Sequence, residues 1–70
     1  MKDRERLEYT LKMWANGLQL SKLASLHHGD EALYQALLMG SNHLMDEARV
    51  LASSLPFKLN REFVERALST

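Results

Sequence analysis

Between Leu33 and Leu55, apolar and small residues recur at spacings of three and four: Leu33, Leu37, Gly40, Leu44, Ala48, Leu51 and Leu55 form one row. Tyr34, Leu38, Ser41, Met45, Ala48, Ala52 and Leu55 form a second row beside it. This is the 3.6-residue period of a helix, and it predicts a helix over about residues 31–54 with a broad apolar face. Gln35, Asn42, Asp46, Arg49 and Ser53 fall opposite that face, and Met39, His43 and Val50 lie on a more weakly apolar flank. Pro56 disfavours helical geometry at Leu55, which places the end near Ser54.

The segment before it predicts a helix over about residues 4–28, with Gly17 as the one strong helix-disfavouring residue inside. Its pattern has two apolar sides. At 100° per residue Leu7, Leu11, Trp14 and Leu18 fall on one side, and Tyr9, Met13, Leu20, Leu23 and Ala24 on nearly the opposite side. Of the two strips between them, one carries Glu8, Lys12 and Gln19 and reads as solvated, with Glu8 and Lys12 spaced for an i,i+4 ion pair. The other carries Thr10, Gly17 and Ser21, with Ala24 beside it, small enough to let another helix approach closely. A helix apolar on two sides cannot bury both against one partner. A second copy, a partner helix or the chain's own C-terminal segment must cover the surplus, and a homodimeric four-helix bundle is the simplest arrangement.

His27-His28-Gly29-Asp30 separates the two helices. Gly29 is expected in the left-handed position that ends a helix, the histidines near the negative end of its dipole, and Asp30 as the cap of the next helix. Each helix would run about 36 Å, and so short a turn predicts an antiparallel αα-hairpin. Beyond Pro56, Asn60 reads as an N-cap, with Leu59 and Val64 as its hydrophobic staple and a short helix over about residues 61–68. Phe63, Val64, Ala67 and Leu68 give that helix an apolar face, and Phe57 and Phe63 are its expected anchors. The fold expectation is therefore all-α: a single domain over residues 1–70, a long hairpin plus a short C-terminal helix, dimerised into a bundle.

Composition narrows the function. A chain of 70 residues buries only about 60% of its unfolded surface, which favours oligomerisation or very regular packing. Cysteine is absent, removing disulfides and thiolate metal sites. Nine Lys+Arg balance nine Asp+Glu, so the field that draws proteins to nucleic acid or anionic lipid is missing for the whole chain. The N-terminal MKDRERLEYTLK alternates charges where a signal peptide would be apolar, and no run approaches the roughly 20 apolar residues of a membrane span. A cytoplasmic protein is expected.

The pattern offers little to chemistry. Adjacent His27 and His28 diverge by about 100° in a helix and cannot chelate together, and His43 lies about 20 Å away along the second helix. Ser25, His27 or His28, and Asp30 hold the letters of a catalytic triad but sit in consecutive turn positions without a cleft. No enzyme activity, cofactor, metal or small-molecule substrate is expected.

The run from Ala48 to Leu68, with Leu51-Ala52, Leu55, Val64 and Leu68 in apolar places, resembles a bacterial helix-turn-helix, which implies DNA binding. Its expected turn is longer than usual and contains proline, and Glu62 and Glu65 offset Arg61 and Arg66 on the reading helix. The hairpin resembles the plasmid copy-control hairpin dimers in architecture. Gly29-Asp30 followed by Tyr34-Gln35 is similar to the helical-hairpin co-chaperones of type III secretion needle subunits, which implies a structural co-chaperone. The leading expectation is a non-enzymatic regulator, an inhibitor or adaptor of the kind bacteria, phages and plasmids encode, that docks an apolar helical surface on a larger protein and occludes it. On the first helix the candidate interface residues are Leu7, Tyr9, Leu11, Met13, Trp14, Gly17, Leu18, Leu20 and Ser21. Met39 and Met45 on the second helix and Phe57 and Phe63 in the C-terminal segment complete the set, since aromatics and methionines so often anchor interfaces.

Overall fold

A computed structural model describes residues 2–69 and places in them three helices and no strand: α1 Asp3–Leu26, α2 Glu31–Ser53 and α3 Phe57–Leu68. The long helices pair as an antiparallel hairpin. Gly17 lies against Ser41 and Met45, and Leu20 against Gly40, so residues facing each other sum to nearly a constant, as antiparallel helices require.

The seam of the hairpin runs along the small-residue strip of α1. Thr10, Gly17 and Ala24 are buried there, and Ser41, Ala48 and Ala52 answer them from α2. Small side chains bring the two backbones close, and the polar atoms they bury are satisfied: Thr10 Oγ1 donates to Arg6 O at 2.7 Å, and Ser41 Oγ to Gly17 O at 2.6 Å. The two apolar sides of α1 therefore flank the seam and lean over α2 from either side.

One of those sides is closed by α3. Leu7, Ala48, Ala52, Leu55 and Phe63 form the buried cluster, with Leu11, Met13, Trp14, Leu59 and Ala67 packed against it. Trp14 meets Phe63 edge-on, ring centroids 5.9 Å apart, and the Arg49 guanidinium lies 5.4 Å from the centre of its ring. Charged side chains clasp the outside. Arg4 pairs with Glu62 at 2.6 Å, and Arg66 pairs with Glu8 at 2.8 Å and with Glu62 at 3.3 Å, tying α3 to the start of α1. Glu8 thus reaches across to Arg66 rather than along its own helix to Lys12.

Several local expectations are corrected. Gly29 has no positive φ, so the corner does not use a left-handed glycine; α1 ends at Leu26, with His27 at φ −122° as its C-cap, and both histidines lie beyond the last turn. Asp30 does cap α2, its Oδ1 accepting from Leu33 N at 3.2 Å. The C-terminal helix starts at Phe57 rather than near residue 61, opened by the Pro56 carbonyl, which accepts from Leu59 N and Asn60 N at 2.9 Å each. Asn60 is therefore inside α3, where its Nδ2 donates to Ala52 O at 2.7 Å, and Leu59 is a helix residue packed on the core rather than one end of a staple. The link between α2 and α3 shrinks to Ser54, Leu55 and Pro56, within the three to four residues usual for a helix-turn-helix.

Candidate protein-interaction surfaces

Most of the residues that the pattern marks for an interface are engaged inside the chain. Leu7, Gly17 and Phe63 are buried; Leu11, Met13 and Trp14 pack against the core; Leu18, Leu20, Ser21 and Met45 are half-buried. Tyr9, Met39 and Phe57 stand out, at 53%, 70% and 78% exposed. The turn residues His27, His28, Gly29 and Asp30 are all exposed.

The longer α3 changes which of its residues face outward. Counted from Phe57 at 100° per residue, Leu59, Phe63 and Ala67 form the side packed on the hairpin, while Phe57, Val64 and Leu68 fall within about 40° of one another on a second side. Val64 and Leu68 are 44% and 84% exposed. Two large apolar side chains and a valine in line, spaced seven and four, make a stripe rather than scattered surface residues. Starting the helix at residue 61 leaves Phe57 outside it and hides the stripe. Arg61 borders it and pairs with Glu65 at 3.4 Å, so the charge at its edge is neutralised. The face that a helix-turn-helix would present to DNA is thus apolar, with its one bordering arginine paired to a carboxylate.

The clasp residues carry the shifted acidities. The Arg66 guanidinium, hydrogen-bonded to Glu8, holds that carboxyl below its ordinary value of 4.5. Arg4 does the same to Glu62, reinforced by Arg66, while Arg66 itself is held above its ordinary value by Glu8 and then Glu62. Beside the clasp, an open groove of about 750 Å³ runs between α1 and the end of α3, lined by Glu5, Glu8, Tyr9, Lys12, Trp14 and Arg66 among others. Its polar rim is already paired at Glu8 and Arg66. Among the described residues no three His, Asp or Glu side chains converge as metal ligands, and no helix is long and apolar enough to cross a membrane.

Among the described residues no third element lies over the opposite side of the hairpin. There Tyr9, Leu20 and Leu23 of α1 and Leu33, Leu37, Leu44 and Leu51 of α2 fall on one side by helical position; Tyr9 and Leu33 are exposed and the others half-buried. The thinnest dimension of the molecule, 14 Å, matches the roughly 13–15 Å that two helical layers need, the hairpin and α3. No protein-family model, no curated protein and no solved structure matches this chain.

Proposed function

We propose that this chain is a small non-enzymatic protein-binding regulator, which lays the outer stripe of α3 into a groove or against a helix of a larger protein and so occludes it. The observation that carries this reading is the alignment of Phe57, Val64 and Leu68 on the solvent side of a helix whose other side is fully used by the core. Helix-in-groove recognition is read out by anchors of this kind, spaced so that they fall on one face. The α3 helix is already formed and seated on the hairpin, rooted by Phe63 and tied to α1 by the pairs of Arg4 with Glu62 and of Arg66 with Glu8. Little ordering remains to be lost on binding, which favours affinity.

The short link between α2 and α3 supports DNA binding as the competing reading, and one experiment separates the two. The wild-type chain and a Phe57→Ser/Leu68→Ser variant of equal helicity are each used to capture protein from a bacterial lysate and to retard duplex DNA at physiological salt. A protein retained by the wild type and lost with the variant is the expected result. Retardation of DNA, with no protein captured differentially, would overturn it.

A further inference from the structure

We infer that the uncovered side of the hairpin takes a second copy of this chain, face to face with both turns at the same end, so that α1 of each copy lies beside α2 of the other. This goes beyond the α3 stripe, uses a different surface and does not depend on it.

The bare face supplies the apolar surface. Leu20, Leu37 and Leu44 lie along it, half-buried, with Leu20 against Gly40 and Leu44 against Gly17 across the seam, and Tyr9 and Leu33 continue it into solvent. The α3 helix lies on the other side, with Trp14, Glu8 and Arg4, so no described element stands between two such faces.

Charge decides what covers the face, and in which direction. By helical position Lys12 lies on the outer edge of α1, between this face and the groove beside α3, and Glu47 lies on the outer edge of this face along α2. Both are exposed, and neither forms an ion pair with any described residue, so each is free to pair with a second copy. Facing residues of the hairpin sum to about the same number as Gly17 and Ser41 do, and so do Lys12 and Glu47: they stand at the same height on opposite edges. A two-fold axis along the hairpin sets Lys12 of each copy beside Glu47 of the other, twice. The same operation brings Asn16 level with the second copy's His43, and Leu23 level with its Ala36. With the axis across the hairpin, α1 would meet α1 end for end, and Lys12 would fall near Gly17 and Leu18 with no carboxylate in reach. Exposed ion pairs contribute little to affinity, so the apolar face supplies the attraction and the two charge pairs select the orientation.

The test uses the full chain. Light scattering across concentration is expected to pass from 8.0 kDa to twice that mass. Lys12→Glu alone or Glu47→Lys alone is expected to raise the dissociation constant about tenfold, since two attractive pairs become repulsive, and the double exchange is expected to restore it. Direction is read from spin labels on Gly29→Cys, an open position in a chain without cysteine. Turns at one end put the labels within roughly 25 Å; turns at opposite ends put them beyond about 35 Å, the length of a helix. A monomer at all concentrations, a long label distance, a double exchange that does not restore association, or a dimer dissolved by Phe57→Ser would each overturn the proposal.

Discussion

The Ser41 hydroxyl donates to the Gly17 carbonyl at 2.6 Å, a contact between the middles of two long helices that exists because one of the residues has no side chain. A Cβ built on Gly17 would stand 2.6 Å from Met45 Cγ and 3.2 Å from the Ser41 carbonyl oxygen. Gly17 therefore sets the distance between α1 and α2, and with it the positions of everything packed on either side.

Gly17→Ala is expected to lower stability. Alanine gains up to about 1 kcal/mol of helix propensity, but the Ser41 backbone cannot swing aside as Met45 can, and overpacking of this kind costs about 1–3 kcal/mol. Gly17→Val should cost more. Chemical denaturation of both variants checks the order: wild type, then Ala, then Val.

Gly40→Ala is expected to have the opposite sign. The single close atom there is Leu20 Cδ1 at 3.2 Å, the far end of a flexible side chain, so the gain in propensity, roughly 0.5–1 kcal/mol, is kept. Denaturant midpoints for the two alanine variants should therefore lie on opposite sides of the wild type.

Gly29→Ala tests the corner. Without positive φ and with nothing within 4 Å of an added Cβ, glycine is not required there. Stability is expected to rise by about 0.4–1 kcal/mol through the unfolded chain. A loss of stability on thermal unfolding would mean that the glycine is needed after all.

The clasp predicts an acid limb. Glu8 and Glu62 have carboxyls depressed in the folded chain, so the unfolded chain takes up protons first as pH falls. Their contribution is complete above the ordinary value of 4.5 and is lost as pH falls through the depressed values. In Glu8→Gln/Glu62→Gln the fall in Tm between pH 7 and pH 3 should be smaller than in the wild type. Added salt should weaken the wild-type clasp and leave the variant less affected.

Much of this fold is legible in the pattern. The sparse glycine and proline residues and the three-and-four spacing mark the hairpin to within a residue or two, because nothing else can bury such rows of leucine. The small strip at Gly17 and Ser21 marks the seam for the same steric reason. Asn60 is where reading fails: it is a capping residue by type, but its side chain serves the end of the preceding helix through Ala52 O, a long-range choice that no local spacing reveals. Misplacing that one function shortens α3 by a turn and conceals the stripe of Phe57, Val64 and Leu68. The pairing of Glu8 with Arg66, 58 positions along the chain, is equally invisible, since Lys12 offers a local partner of the right sign and spacing.

The two phenylalanines of α3 should behave as opposites. Phe63 is 5% exposed, and Phe63→Ala is expected to cost about 3–5 kcal/mol, comparable to the whole stability of so small a domain. Phe57 is 78% exposed, and Phe57→Ser should change stability by less than about 0.5 kcal/mol. Trp14, the one tryptophan, sits against Phe63, so its fluorescence should change with the first variant and not with the second.

Whether a larger protein binds the stripe on α3 is decided by calorimetric titration of the captured protein with wild type and with Phe57→Ser/Leu68→Ser. Loss of two anchors of hot-spot type predicts binding weaker by at least about a hundredfold, at about 1.4 kcal/mol per factor of ten, with the helical spectrum of the variant unchanged. Equal affinity for the two chains would rule the stripe out as the binding surface.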